Sequence, residues 1–265
     1  MKKKLHPLIM GTFILTATGL ITRAIGFFYR IYLSRLFGEE GMGIYQLITP
    51  VLSLSFSLCA AAYQTAISKY VAEYTASKRE SPFRPLTAGL SIALPLSLLC
   101  CFAVFTGADF ISCRLLQEPR TASMLRILAF SIPLSSVHSC INGYFYGVKK
   151  TAPAAIAQLL EQLSRVGCVY AVSARALARG TSPSINVAVL GLAAGEFVSM
   201  MISLTAIYIA LVRAKTQAGQ ALPGAISSAG SLDRSGKLLP AILAMALPMT
   251  LNRIVLNLLQ SVESV

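Results

Sequence analysis

Seven apolar segments, each long enough to cross a bilayer as a helix, run through this chain of 265 residues. They cover approximately 8–37, 43–74, 85–112, 124–147, 152–178, 185–212 and 238–265. A helical span needs about 20 apolar residues. Lipid offers no partner to a bare backbone N–H or C=O, so a spanning segment must satisfy its own hydrogen bonds. Segments of this length do so as helices, and the fold class expected is an all-α polytopic membrane helix bundle. Charge agrees. Only 12% of the residues are charged, against roughly 25% in a soluble domain, so lipid has to cover most of the surface.

The net charge is +13. A nucleic-acid binder would need a soluble basic face, but here the basic residues fall mainly in short stretches between apolar runs. That pattern reads as topology and attraction to anionic membrane lipids, with no nucleic acid involved. With the N-terminus in the cytoplasm, the inner stretches hold Lys2, Lys3, Lys4, Lys69, Lys78, Arg79, Arg84, Lys149, Lys150, Arg213, Lys215, Arg234 and Lys237. The outer ones hold Arg35, Arg114, Arg120, Arg175 and Arg179. Every lysine is inside, as the positive-inside rule requires. The first apolar run continues past the 7–15 residues of a signal peptide and reads as an anchor that stays.

Three regions are expected. Residues 1–212 form a six-helix transmembrane lobe, 213–237 a cytoplasmic linker rich in Gly and Ser, and 238–265 the first helix of a second lobe. The odd helix number and an end inside a helical pattern lead us to expect a fragment whose second lobe is missing.

Five arginines, Arg23, Arg30, Arg126, Arg165 and Arg253, lie in or at the ends of apolar spans. Intramembrane charge costs several kcal/mol by most estimates and is rarely kept without a role or a partner. Arg23 and Arg30 are seven residues apart, two helical turns, and share one face. Arg23 falls in the outer half of its span. Arg30 lies near the outer surface, where it either snorkels to water or assists Arg23. Glu161 and Arg165, at i and i+4 with the acid first, form either a self-neutralising pair or part of an ion site. Glu196, a lone acid in the sixth span, pairs with an arginine or takes up a proton or a sodium ion. Arg126 is expected to snorkel.

Small and polar residues recur at helical spacing in six spans. Examples are Thr16, Gly19, Arg23, Gly26, Arg30 and Ser34 in the first, Gln46, Thr49, Ser53, Ser57 and Gln64 in the second, and Ser131, Ser135, His138 and Asn142 in the fourth. The fifth carries Gln158, Glu161 and Arg165, the sixth Glu196, Ser199 and Ser203, and the seventh Arg253, Asn257, Gln260 and Ser264. Helix packing accounts for single Ser, Thr and Gly residues. The charges point to a shared polar cavity. Pro50, Pro95, Pro133 and Pro248 each permit a kink.

Six cysteines lack metal-ligand spacing, and His6 and His138 are too few for a metal site or a catalytic dyad. There is no Walker loop, HExxH or GxSxG motif. Neither a cofactor nor a catalytic constellation is expected, so the chain reads as a transporter rather than an enzyme.

Several runs together resemble the stage V sporulation protein B family, in the polysaccharide and lipid II flippase branch of the multidrug/oligosaccharidyl-lipid/polysaccharide (MATE-like) exporter superfamily. They are Ile21-Thr-Arg-Ala-Ile-Gly-Phe-Phe-Tyr-Arg30, Leu36-Phe-Gly38, Gly41-Met-Gly-Ile-Tyr-Gln46, Ala66-Ile-Ser-Lys69 with Glu73-Tyr74, and Asn142-Gly-Tyr-Phe-Tyr-Gly147. Gln158, Glu161, Gln162 and Arg165 follow, then Pro248-Met-Thr-Leu-Asn-Arg253 with Leu259-Gln260-Ser261. The family tends to carry Gly-x-Pro before the Ala-Ile-Ser-Lys run. This chain has Ala62-Tyr63-Gln64-Thr65 there, which leaves a kink in its second span without its usual residues.

The resemblance implies a MATE-like N-terminal lobe of six helices plus the start of a seventh, in the bacterial plasma membrane. It implies a flippase that moves an undecaprenyl-pyrophosphate-linked cell-wall precursor by alternating access, in peptidoglycan or spore cortex synthesis. A lipid-linked oligosaccharide and the second lobe of the same protein are the partners implied. Export of other lipid-linked polysaccharide units, or a scaffold that binds such lipids without moving them, are the alternatives. Arg23 matches an arginine recurring in the first helix of lipid II flippases. Arg30 lies one position beyond another, where those proteins often carry an acid. Arg253 is the third candidate for the pyrophosphate.

Overall fold

The computed structural model describes residues 7–77, 81–220 and 235–263. His6, the basic residues Lys2, Lys3, Lys4, Lys78, Arg79 and Arg234, the part of the expected linker at 221–234, and Ser264 lie outside the described residues, as do the side chains of Lys215, Lys237 and Gln260. Among the described residues there is no strand, and the chain is an all-α bundle. It runs as α1 (Pro7–Leu47), α2 (Thr49–Phe56), a π turn at Ser57–Ala61, α3 (Ala62–Ser77), α4 (Phe83–Thr106) and α5 (Ala108–Phe110). A second π turn at Ile111–Leu115 leads to α6 (Thr121–Gly147), α7 (Ala152–Ala178), α8 (Asn186–Gln220) and α9 (Ser235–Glu263).

Five helical runs are long and apolar enough to cross a membrane: Met10–Ser77, Phe83–Thr106, Thr121–Gly147, Asn186–Ala214 and Leu238–Asn257. The first joins two of the sequence segments. Gly38 bends the chain between them at φ 70°, ψ −175°, a conformation essentially reserved for glycine. The 27-residue α7 is long enough but falls outside these five, because Gln158, Glu161, Gln162 and Arg165 lower its apolarity.

The second span is interrupted without the usual Gly-x-Pro. Pro50 sits in the first turn of α2, where its missing N–H costs nothing. The break comes instead from the π turn at Ser57–Ala61. Pro95, Pro133 and Pro248 lie inside their helices, joined by Pro240 in α9. α8 continues as helix into the stretch expected to be linker, as far as Gln220.

Two Gly-xxx-Gly pairs set the packing. Gly143 and Gly147 of α6 face α3, where an added Cβ would lie 2.6 Å from the Gln64 carbonyl oxygen and 2.7 Å from that of Ser68. Gly191 and Gly195 of α8 face α7, where a Cβ would lie 3.0 Å from the Arg165 carbonyl oxygen and 2.9 Å from that of Glu161. Small residues of this kind let membrane helices approach backbone to backbone. The main core then forms between α3, α4, α6 and α9, around Tyr63, Ile67, Val71, Ile141, Tyr144 and Ile242. α1 packs on α7 through Tyr29, Leu33 and Val169.

At the end of the bundle near α5, Arg120 contacts Glu40 and Glu118, each at 2.8 Å. Its hydrogen bonds hold the Glu118 carboxyl below the ordinary glutamate value. Arg126, expected to snorkel, pairs with Asp109 at 2.7 Å.

Candidate functional site

The close contact of α8 with α7 brings Glu196, next to Gly195, up to the Arg165 turn. α6 supplies the third wall. His138 Nε2 lies 2.8 Å from one Glu196 oxygen, and Arg165 Nη2 lies 3.9 Å from the other. The same guanidinium nitrogen donates to Glu161 Oε1 at 2.8 Å. An ionised carboxylate only accepts, so His138 Nε2 donates to Glu196. Its Nδ1 is then the acceptor for the Ser199 hydroxyl at 3.3 Å and the Asn142 amide at 3.4 Å. The four charged or titratable side chains are 9–20% exposed. Their charges do not cancel while the imidazole is neutral: two carboxylates face one guanidinium. A proton on His138 brings the group to zero.

Arg165 Nε and the Tyr29 hydroxyl are buried and have no hydrogen-bond partner among the described residues. The polar stripes of the fourth, fifth and sixth spans therefore meet in one buried cluster. A separate meeting joins the second and seventh, where Asn257 donates to Ser57 Oγ at 2.7 Å and to the Ser53 carbonyl at 3.3 Å. The sequence pattern led us to expect one shared cavity, whereas the stripes pair off, since buried polar groups find partners wherever two such faces touch.

The α1 arginines differ in kind. Arg23 and Arg30 are exposed, and neither forms an ion pair or side-chain hydrogen bond with the described residues. Thr16 and Ser34, on the same stripe, are exposed with them, and Phe27, between the two arginines on that face, is 63% exposed. Gly26 turns instead towards Gln162 of α7. Arg253 of α9 is exposed and unpaired in the same sense. The structure thus gathers Glu161, Arg165 and Glu196 into one cluster with His138, and leaves Arg23, Arg30 and Arg253 outside it without an ion-pair partner among the described residues. His138 is the cluster member that local reading passed over. It stands on the α6 stripe, but its acidic partner is 58 positions away. Among the described residues no group of His, Cys, Asp and Glu could hold a metal ion.

An all-helical, multi-pass membrane protein, with two arginines on its first helix that have no ion-pair partner among the described residues and a charge cluster set between three other helices, is the class that fold and site define. Residues 8–265 match the family model described as polysaccharide biosynthesis protein, and the chain belongs to that family. It is 32% identical over 194 residues to stage V sporulation protein B of Bacillus subtilis (strain 168), across 73% of this chain and 38% of that protein. It is 28% identical over 178 residues to sporulation protein YkvU of the same organism, across 63% and 36%. With the lipid II flippase MurJ, also from that organism, it shares 26% identity over 168 residues, across 60% and 31%. The chain thus spans less than two fifths of the length of these relatives.

Proposed function

We propose that this chain is the N-terminal part of a flippase for a lipid-linked cell-wall precursor, an undecaprenyl-pyrophosphate-linked saccharide of the lipid II kind, working by alternating access and not as an enzyme. Residues 1–212 are the first lobe, and 238–265 begin the second. The N-terminus faces the cytoplasm. Arg23 engages the pyrophosphate, with Arg30 and Arg253 as accessory contacts.

The observation that carries this reading is the contrast between the arginines. Arg165 lies between two carboxylates and has no charge to spare. Arg23 and Arg30 stand exposed on one face of an apolar helix with no acidic partner among the described residues. Charge of that kind is tolerated in a membrane when a ligand or cavity water compensates it. A pyrophosphate fits, because guanidinium–phosphate hydrogen bonds are charge-assisted and can be bidentate. The name of the relative MurJ, a lipid II flippase, supports the substrate class.

The test is complementation of a flippase-depleted strain by the protein expressed from its own gene. Arg23→Gln should abolish growth support, and Arg23→Lys should retain part of it. Growth support equal to wild type from Arg23→Gln, at equal membrane abundance, would overturn the assignment.

A further inference from the structure

A cavity of about 870 Å³ lies away from both the α1 arginines and the buried charges. Its walls are the start of α4, the C-terminal end of α6, the start of α7 and the second half of α8. Lys150 and Arg213 line it, and no acidic residue does. Both cations lack an ion-pair partner among the described residues.

The cavity is polarised along α8, with its cations at one end and apolar residues at the other. Lys150 follows the last turn of α6, which closes with Lys149 at φ 59° and the Lys150 N–H bonded 2.9 Å from the Phe145 carbonyl. That helix-ending arrangement normally takes glycine, and it fixes the backbone that carries Lys150 at the end of the bundle. Arg213 sits one residue from the end of the apolar run of α8. From that basic mouth the lining runs inward along α8 to Met201, twelve residues or roughly 18 Å. One leaflet of hydrocarbon is about 15 Å deep, half of the ~30 Å core. Ile156, Met201 and Ile209 are 51%, 41% and 43% exposed along this length, so the cavity opens sideways.

We propose that this cavity is a binding site for one anionic glycerophospholipid of the adjoining leaflet. Its phosphate sits between Lys150 and Arg213, and one acyl chain lies along Ile156, Met201 and Ile209. Charge complementarity selects an anionic headgroup, and the leaflet-deep apolar wall selects an acyl chain over a soluble phosphate or a peptide.

The test is lipid retention by the full chain, purified in mild detergent and offered phosphatidylglycerol or phosphatidylcholine, read by native mass spectrometry. One phosphatidylglycerol should be retained per chain in preference to phosphatidylcholine. Lys150→Gln and Arg213→Gln should each weaken its retention about fivefold, and the double variant roughly thirtyfold, as expected near 1 kcal/mol per basic residue at a membrane surface. Arg175→Gln, at a remote helix end, should change nothing. Thr205→Trp keeps the charges but fills the apolar channel, and should also release the lipid. Equal retention of the two lipids overturns the proposal. So does undiminished phosphatidylglycerol binding by the double variant or by Thr205→Trp, each checked for helix content. Arg23 and Arg30 are intact in every variant, so this site stands or falls separately from the flippase reading.

Discussion

Adding one methyl group at Gly143 tests the packing argument directly. In Gly143→Ala the new Cβ would lie 2.6 Å from the Gln64 carbonyl oxygen and 3.2 Å from its C and Cα. All three are backbone atoms, so no side chain can rotate away. Ordinary contact would require α3 and α6 to part by roughly 0.8 Å, and overpacking of this kind costs about 1–3 kcal/mol. Gly167 of α7 is the control, because nothing lies within 4 Å of its added Cβ. There the same methyl relieves the glycine penalty within a helix, a gain of about 0.5–1 kcal/mol. At about 2–4 °C per kcal/mol, Gly143→Ala should lower the unfolding midpoint by roughly 2–12 °C, and Gly167→Ala should raise it by roughly 1–4 °C. The chain carries its own reporter. Cys59 and Cys140 are free and buried, and Cys140 is one turn from Gly143, so a thiol-reactive fluorophore follows unfolding in detergent. A midpoint for Gly143→Ala at or above wild type would refute the claim that α3 and α6 meet backbone to backbone.

Arg165→Gln should destabilise the protein by about 3–5 kcal/mol, because it removes the guanidinium between two carboxylates that are only 18% and 13% exposed. Adding Glu161→Gln should recover part of that loss in a double-mutant cycle, and strict additivity would show that the pair is not coupled. At Glu118 the folded carboxyl titrates below its ordinary value because Arg120 hydrogen-bonds it. The stabilisation is therefore complete above about pH 4.5 and is lost as pH falls through the lower folded value. Because Thr121 and Ala122 donate their amides to the Glu118 and Pro119 carbonyls, their protection factors should fall on acidification. Glu118→Gln should show the lower protection already at neutral pH, and protection indifferent to both changes would refute the link.

Much of the bundle was legible because lipid imposes a length and an apolarity on every span. The Glu161–Arg165 contact was legible too, since i and i+4 positions meet on any helix. The partner of Glu196 was not. His138 comes from a different helix, and only tertiary packing decides which two polar stripes touch. The glycines at 143, 147, 191 and 195 are visible in the sequence at the right spacing, but a spacing does not say which neighbour will approach. The π turn at Ser57–Ala61 left no mark at all, since its residues, Ser, Leu, Cys, Ala and Ala, suit an ordinary helix equally well. Exposure separated the arginines where composition could not, by showing which guanidiniums already have an anion beside them.

The two glycine contacts also have a mechanical side. Helices that touch through backbone have no layer of flexible side chains on which to slide. Among α3, α6, α7 and α8, the couples α3–α6 and α7–α8 are therefore stiff plates, and α6 against α8 is the seam between them. The His138–Glu196 hydrogen bond crosses that seam. Any rocking of one plate on the other must stretch a charge contact in low dielectric, and a proton gained or lost there changes the stiffness of the joint.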